Sequence, residues 1–374
     1  MLQTLVFLAA MQAADLNTLA NIKPRMQSHV DRGGISGTVT LVLEKGQPVH
    51  FETTGLADIE NKKPMRKDSI FQIMSMTKPL TGVAAMMMVE EGKLNLNDPV
   101  AKYLPEFADK PGVLVRHLMT HTSGMAADPP GERKEWQYSM KTTLADAVKF
   151  YATVPLLQEP GTKWVYSNMA LATLGRLVEV RSGMKYEDFV AKRLLQPLGM
   201  KDSFYFPPAD KKDRIVVNYC SKEGKLSPCP HTTLGGDSRE MRAGATYSAP
   251  EFGLYSTAED LSHFYQMMLN GGVWGGKRLL SKASIHAMTI VQTGDLKAGH
   301  NPGTGFGLTW EVVRDPAGAA MLWSEGTFGH GGAFGTHGWV DPSKGLVGVF
   351  LVQGGSGASE AKANFIAMSS ASAN

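Results

Sequence analysis

Hydrophobic residues recur every three or four positions in several stretches of the chain, which is the spacing of one face of an α-helix. This pattern predicts helices over residues 15–30, 80–91, 144–152, 170–181, 186–195, 261–269 and 360–370. Pro24 lies inside the first of these helices and predicts a kink there, because proline lacks the N–H that an interior helical position uses. Loops that contain proline and glycine separate the helices in the middle of the chain.

Alternation of hydrophobic and polar residues predicts strands near both ends of the chain. Residues 38–43 and 50–54 alternate on either side of Gly46-Gln47-Pro48, which predicts a β-hairpin. After about residue 300, further strands are predicted over 307–313, 319–323, 336–341 and 346–353. Consecutive strands joined by short turns favour an antiparallel sheet.

The order of these elements is helix, hairpin, a long helical block, several strands and a final helix. It predicts an α+β fold, in which an antiparallel β-sheet is flanked by helices and carries an inserted helical region. The length of 374 residues is that of one large domain or two. The loops at 126–142 and 206–249 are long enough to form walls or lids of a functional site.

Composition excludes two classes of partner. Hydrophobic residues make up 43% of the chain and charged residues 20%, as in an ordinary globular protein, and the formal net charge is only +3. Basic runs and interleaved basic and aromatic residues are lacking, so no nucleic-acid partner is expected. No apolar run approaches the roughly 18 residues that a membrane-spanning helix needs, so no membrane span is expected.

The N-terminus and the cysteines leave the location of the protein open. Residues 1–14 are apolar and end in Met-Gln-Ala-Ala, as a remnant of an export signal would, but no Lys or Arg precedes the apolar part. A signal remnant implies a periplasmic or secreted protein, and a plain N-terminal helix a cytoplasmic one. Cys220 and Cys229 would close a small loop in an oxidising compartment and stay free thiols in the cytosol.

The strongest chemical signal is Ser75-Met76-Thr77-Lys78 at the start of an apolar helix. Positions three apart share a helix face, so the Lys78 amine is expected beside the Ser75 hydroxyl. A serine becomes a good nucleophile when a neighbouring base takes its proton, and burial can make a lysine neutral enough to do so. The free N–H groups of a helix start suit an anionic intermediate. By itself, Ser-x-x-Lys also fits a capped helix with an exposed lysine.

Two further elements carry candidate chemistry. An extended Tyr166-Ser167-Asn168 places Tyr166 and Asn168 on the same side, where the phenol could pass a proton to a leaving group and the amide could orient a substrate carbonyl. The run His330-Gly331-Gly332-Ala333 precedes a predicted strand, and a backbone N–H there could supply half of an oxyanion hole. Taken alone, each also has a plain structural interpretation, as a core tyrosine before a helix cap and as a bulged turn.

These three elements, in this order, resemble the serine β-lactamase and penicillin-binding-protein superfamily, and within it the class C β-lactamase-like branch that includes family VIII carboxylesterases. Three other segments are similar to this branch, namely residues 117–125 (HLMTHTSGM), 196–200 (QPLGM) and 253–260 (GLYSTAED). The resemblance covers roughly residues 15–370. It implies a single β-lactamase/transpeptidase-like catalytic domain over residues 15–374, with a sheet part at about 15–65 and 300–374 and a helical part at about 66–299.

The resemblance also implies a role for each motif residue. Ser75 would form the acyl-enzyme, Lys78 would assist its deprotonation, and Tyr166 would act as base and acid. Asn168 and the run His330-Gly331-Gly332-Ala333 would contact the substrate, with the backbone N–H groups of Ser75 and Ala333 as the oxyanion hole. No cofactor and no metal are expected. The expected activity is hydrolysis of small-molecule esters with short to medium acyl chains.

One departure from the superfamily bears on the substrate. Class C β-lactamases and penicillin-binding proteins carry Lys-Thr-Gly where this chain has His330-Gly331-Gly332. Their lysine and threonine help to hold the substrate carboxylate, and one histidine does this less well at neutral pH. Esterases of the branch often lack that lysine, so the departure favours esters over β-lactams. A β-lactamase or a peptidase acting on D-amino-acid peptides remains the alternative, and weak β-lactam hydrolysis stays open.

Other classes of protein fit the sequence less well. His117 and His121 are four residues apart, as two zinc ligands on one helix face can be, but the glutamate of a His-Glu-x-x-His motif is missing. The Gly-x-Ser-x-Gly elbow of an α/β-hydrolase does not occur in the sequence. A catalytically inactive binding protein is disfavoured because Ser75, Lys78 and Tyr166 are all present.

Overall fold

The computed structural model describes residues 14–240 and 242–373, so all but the last residue of the possible signal remnant lies outside the described residues. None of the described helices is both long and apolar enough to cross a membrane. The α-helices are α1 (Leu16–Ala20), α2 (Ile22–Asp31), α3 (Thr77–Glu90), α4 (Val115–Met119), α5 (Trp136–Ser139), α6 (Leu144–Thr153), α7 (Asn168–Ser182), α8 (Tyr186–Val190), α9 (Gln196–Leu198), α10 (Ala258–Leu269), α11 (Lys282–Thr289) and α12 (Ala358–Ala371).

The strands form one large sheet and three small pairs. They are β1 (Gly37–Glu44), β2 (Gln47–Asp58), β3 (Lys63–Pro64), β4 (Phe71–Gln72), β5 (Tyr219–Lys222), β6 (Lys225–Pro228), β7 (Tyr255–Ser256), β8 (Val273–Trp274), β9 (Lys277–Arg278), β10 (Thr304–Phe306), β11 (Glu311–Val313), β12 (Phe328–Gly331), β13 (His337–Asp341) and β14 (Leu346–Val352). The large sheet has the order β10-β11-β12-β13-β14-β1-β2-β3, and β4–β7, β5–β6 and β8–β9 are separate pairs.

The large sheet is antiparallel, and strands from both ends of the chain meet in its centre. There β1 pairs with β14 and with β2, so that Leu41 lies opposite Val349 on one side and Phe51 on the other. Between β3 and β10 the chain forms α3 to α11 and the small strand pairs. The predicted α+β fold with an antiparallel sheet is therefore confirmed.

Both faces of the sheet are covered, because successive side chains of a strand point to opposite faces. Leu41 belongs to the core shared with α10 and the helical region, whereas its neighbour Val42 belongs to the core shared with α2 and α12. Strand β1 is consequently buried along its whole length. The covered sheet holds β12 between β11 and β13, and β12 contacts the segment Met74–Met76 directly before α3.

Three predicted elements are wrong in detail. The helix predicted over 15–30 is divided at Asn21, and Pro24 lies in the first turn of α2, where its missing N–H breaks no helical hydrogen bond. The strand predicted over 307–313 is a hairpin of β10 and β11 whose turn contains Thr309, with a positive φ of 72°. Residues 319–323 form turns at the surface instead of a strand.

The cysteines, which the sequence left open, form a disulfide. Cys220 and Cys229 are bonded across the hairpin of β5 and β6, with 4.9 Å between their Cα atoms. This hairpin lies inside the long loop at 206–249. The disulfide joins its two strands covalently.

Candidate active site

Ser75 lies at a sharp turn between β4 and α3. Met74, directly before it, has a φ of 52°, a left-handed conformation that few residues other than glycine adopt and that often occurs at functional sites. Thr77 holds the turn, because its Oγ1 donates to the Met74 carbonyl at 2.6 Å and accepts from the Leu254 N–H at 3.1 Å. From Ser69 to Met88, every residue except Ser75 is buried. The turn therefore exposes this one hydroxyl.

Lys78 lies one helical turn after Ser75 and is completely buried. Its Nζ lies 3.0 Å from Ser75 Oγ, 2.8 Å from Asn168 Oδ1 and 2.8 Å from the backbone oxygen of Glu251. Burial lowers the pKa of Lys78 to about 7, and the charges of the Glu251 and Asp128 carboxylates oppose this effect. A neutral amine donates two hydrogen bonds, which the two carbonyl oxygens accept. Its lone pair then remains for the proton of the Ser75 hydroxyl.

Tyr166 belongs to the extended segment before α7, and its side chain lies beside Ser75 and Lys78. The Lys78 Nζ lies 4.7 Å from the centre of the Tyr166 ring. Burial raises the pKa of Tyr166, and a hydrogen bond with the neighbouring Ser75 hydroxyl opposes that shift only in part. The phenol is therefore protonated at neutral pH. Of the two groups beside Ser75, Lys78 can accept a proton and Tyr166 can donate one.

His121 holds the Tyr166 ring, a role that the sequence analysis missed. The two rings pack in a tilted arrangement, with 4.4 Å between their centroids and 33° between their planes, and His121 Nδ1 accepts from the Ser167 N–H at 3.0 Å. Helix α4 ends at Met119 and His121 has a φ of 57°, so His117 and His121 do not share a helix face. The shared helix face on which the disfavoured zinc alternative depended is therefore not formed. Among residues 14–240 and 242–373, no three potential ligands cluster as a metal site would require.

Asn168 is brought to the site, but its amide contacts protein groups. Its Oδ1 accepts from Lys78, and its Nδ2 donates to Asp128 Oδ1 at 2.8 Å. It is the first residue of α7, and Ser167 caps that helix by accepting from the Ala170 N–H at 3.1 Å. Asn168 thus orients the amine of Lys78, and its expected contact with substrate stays a prediction.

Glu251 is a second residue of the site that the sequence analysis missed. Its backbone oxygen accepts from Lys78, while its carboxylate Oε1 accepts from the Tyr247 hydroxyl at 2.7 Å. Burial raises the pKa of Glu251 to about 7, and the hydrogen bond from Tyr247 opposes that shift. A buried acid next to the buried amine gives the site two groups that change charge in the same pH range.

The glycine-rich run ends β12 and forms the turn into β13. A Cβ on Gly332 would lie 2.4 Å from the Ile73 carbonyl oxygen and 2.1 Å from Thr336 Oγ1, so only glycine lets the turn pack against the segment before Ser75. Thr336 Oγ1 donates to the same Ile73 oxygen at 3.2 Å. The Ala333 N–H has no backbone acceptor in the described part of the chain, and Ala333 lines the same cavity as Ser75. That N–H is free to bind a substrate oxygen.

A cavity of about 350 Å³, the catalytic cavity, opens at the Ser75 hydroxyl. Burial and the charge of Lys78 lower the pKa of His330 to about 3, and burial also lowers the pKa of His337. Both imidazoles are therefore uncharged at neutral pH, and His330 carries no charge with which to hold a carboxylate. Besides Ser75, the side chains around the cavity include Tyr166, His300, Glu311, His330, His337 and Lys362.

Comparison with known proteins gives consistent similarities over nearly the whole chain. The family model described as Beta-lactamase matches residues 20–373. Esterase EstB of Burkholderia gladioli is 30% identical over 337 residues, which cover 83% of this chain and 84% of EstB. The D-alanyl-D-alanine-carboxypeptidase/endopeptidase AmpH of Escherichia coli K12 is 26% identical over 372 residues, covering 94% and 91%. The solved structure of EstCE1, a hydrolase with promiscuous acyltransferase activity, has a TM-score of 0.81 at 26% identity and covers 95% of this chain and 98% of its own.

Proposed function

The chain belongs to the beta-lactamase family of serine hydrolases, and from this premise we propose that it is a carboxylesterase that forms an acyl-enzyme on Ser75. The observation that carries the proposal is the buried Lys78 amine, with a pKa of about 7, at 3.0 Å from Ser75 Oγ. The substrates are esters with short to medium acyl chains. The similarity to an esterase, EstB, and to the hydrolase EstCE1 supports this choice of bond.

Acylation begins when Lys78 takes the Ser75 proton and Oγ attacks the ester carbonyl carbon. The N–H groups of Ser75 and Ala333 bind the oxyanion that forms on the carbonyl oxygen. When the carbon–oxygen bond to the alcohol breaks, the Tyr166 phenol gives its proton to the leaving oxygen and regains one from the Lys78 ammonium. The alcohol leaves with its proton, and the acyl group stays on Ser75 Oγ.

Deacylation follows the same path with water in place of serine. Lys78, neutral again, receives a proton from the attacking water, directly or through the Tyr166 phenol. Collapse of the second oxyanion breaks the bond between the acyl carbon and Ser75 Oγ, and Lys78 returns a proton to that oxygen. The acid is released and each residue regains its starting protonation state.

Esters are favoured over β-lactams by the residue that replaces the lysine of Lys-Thr-Gly. His330 is buried and uncharged, so it supplies no positive charge to a substrate carboxylate. One observation favours the second candidate, a β-lactamase or a peptidase for D-amino-acid peptides, because Lys362 also lines the catalytic cavity and carries an amine. The similarity to AmpH is consistent with that alternative.

The two candidates are separated by comparing p-nitrophenyl acetate, butyrate and octanoate with the cephalosporin nitrocefin. We expect rapid ester cleavage and slow or no nitrocefin cleavage, because the site has no cation at position 330. Both rates are followed by absorbance, with the Ser75→Ala variant as the blank for each substrate. Rapid, Ser75-dependent nitrocefin turnover would reject the esterase proposal and make the β-lactamase the better description.

The pH dependence should report the amine of Lys78. We expect kcat/KM for p-nitrophenyl acetate to rise with pH through about 7 and then level off, because below this pH the amine is protonated and has no lone pair for the Ser75 proton. The raised pKa of Tyr166 keeps the phenol protonated, so no decline is expected below the ordinary tyrosine pKa of about 10.

The variant Glu251→Gln provides a control, because the direction in which it should shift the pH profile can be stated in advance. The charge of the Glu251 carboxylate raises the pKa of Lys78, so its removal should lower that pKa and move the rise in activity to lower pH. The glutamine keeps an oxygen that can accept from the Tyr247 hydroxyl. If the rise of kcat/KM with pH in this variant occurs at the same pH as in wild type, or at a higher pH, Lys78 is not the titrating base.

A further inference from the structure

A second cavity, of about 340 Å³, lies at the surface between α12 and the turns at 319–323. Its walls are largely apolar, and we refer to it as the Met321 groove. Met321 is 80% exposed and Leu322 is 45% exposed, so two large hydrophobic residues face water to a large extent. The other apolar residues that line it are Ala319, Ala320, Trp323, Ala363, Ile366 and Ala367.

The Met321 groove adjoins the catalytic cavity, because Asn301, His337 and Lys362 line both. His337 stacks on Trp323, with 5.9 Å between the ring centroids and 19° between the ring planes. Burial keeps the imidazole of His337 uncharged, and the stem of a lysine is a chain of methylenes. The boundary between the catalytic cavity and the groove is therefore formed by groups that a hydrocarbon chain can contact without meeting the charge of an imidazolium.

The boundary between the two cavities is connected to Tyr166 through His300. Next to the shared residue Asn301, His300 packs its ring with 4.9 Å between its centroid and that of Tyr166. The Tyr166 phenol is the group that protonates the leaving oxygen in the reaction above. In the proposed reaction the leaving alcohol lies near Tyr166, and His300 and Asn301 lie beyond it.

We infer that the Met321 groove, which shares Asn301, His337 and Lys362 with the catalytic cavity, binds the alkyl chain of the leaving alcohol. Under this inference the preferred substrates are esters whose alcohol part is apolar. The inference rests on the proposed function of Ser75 and on the role of Tyr166 as proton donor. Each methylene that moves from water into the groove should raise kcat/KM roughly two- to fourfold.

A series of ethyl, butyl and hexyl acetates tests this inference. All three form the same acetyl-enzyme, so differences in kcat/KM arise while the alcohol is still bound. We expect kcat/KM to rise by about tenfold or more from ethyl to hexyl acetate. In the double variant Met321→Ser/Leu322→Ser this rise should largely disappear, whereas Met321→Leu, which keeps the groove apolar, should retain it. Both positions are exposed, so these variants are expected to fold. Acid release in a pH-stat gives the rates.

Two controls fix the side of the ester that the groove binds. In p-nitrophenyl acetate, butyrate and hexanoate the alcohol is constant and the acyl chain grows, and the double variant should keep the wild-type dependence on acyl length. Val180→Ser, which changes another exposed apolar side chain on α7, should alter neither series. An effect of the double variant on the acyl series alone would overturn the inference, as would a flat alkyl acetate series in a Ser75-dependent esterase. A protein that cleaves no ester would instead refute the proposed function, and the inference with it.

Discussion

Replacement of Ser75 by alanine is expected to abolish ester hydrolysis, with a loss in kcat of about 10⁴-fold or more, the scale seen when a serine hydrolase loses its nucleophile. Without Oγ, neither the covalent bond to the acyl group nor the proton transfer to Lys78 can occur. The rate of p-nitrophenyl butyrate cleavage by wild type and variant at the same pH measures the loss.

The alanine variant should keep its fold, which separates chemistry from stability. Ser75 is partly exposed, and its Oγ contacts Lys78 and the Tyr166 phenol without filling the core. An unchanged thermal midpoint together with lost turnover is the expected pair of results. Turnover that survives in the variant at a substantial fraction of the wild-type rate would assign the nucleophile to another group.

Replacement of Lys78 by methionine is expected to lower kcat/KM by about 10³-fold, within the usual range for a positioned proton-transfer group. Methionine has a similar length and fits an apolar pocket, but it has no lone pair basic enough for the Ser75 proton. It also leaves Asn168 Oδ1 and the Glu251 backbone oxygen without their donor. Steady-state rates with p-nitrophenyl acetate give the value.

Lys78→Arg is the matched variant, because it separates the charge of Lys78 from its basicity. An arginine keeps a cation and hydrogen-bond donors, yet it stays protonated at every pH of interest and cannot accept a proton. If Lys78 is the base, the arginine variant should lose activity as strongly as the methionine variant does. An arginine variant with near wild-type activity would show that position 78 acts through its positive charge, and the role of base would pass to Tyr166.

The sequence was most informative where a structure depends on neighbours in the chain. Helix α3 and the hairpin of β1 and β2 follow from periodicity alone, and the structure contains both. The turn at Thr309 has no such signal, since its N–H donates to the Met119 carbonyl at 2.8 Å, a contact between distant parts of the chain. The segment 319–323 was misread as a strand because its apolar residues line a surface groove and are not paired in the sheet.

The same distinction applies to the site. Ser75 and Lys78 are three residues apart on one helix, so their contact could be inferred from spacing. Tyr166 and the glycine-rich run needed a resemblance to a family, because nothing local connects them to Ser75. Glu251 was missed since 173 residues separate it from Lys78, and the only chemical role weighed for His121 was that of a metal ligand. Burial changes the acidity of these groups, and a sequence does not report burial.

The proton-transfer roles proposed for Lys78 and Tyr166 differ from those that the resemblance implied, because both side chains are buried. The resemblance implied that Tyr166 is both base and acid, with Lys78 assisting. Burial moves the two pKa values in opposite directions relative to neutral pH, lowering that of Lys78 to about 7 and raising that of Tyr166. The proposed mechanism therefore assigns the proton-accepting role to Lys78.

The central claim, an acyl-enzyme on Ser75, is tested most directly by trapping the intermediate. Wild-type protein is mixed with p-nitrophenyl butyrate, quenched in acid within the first turnovers, digested and analysed by mass spectrometry. The account predicts one butyryl group on the peptide that contains Ser75, and none on that peptide in the Ser75→Ala variant. A butyryl group on a different residue, or rapid turnover with no acylated peptide at any time, would contradict it.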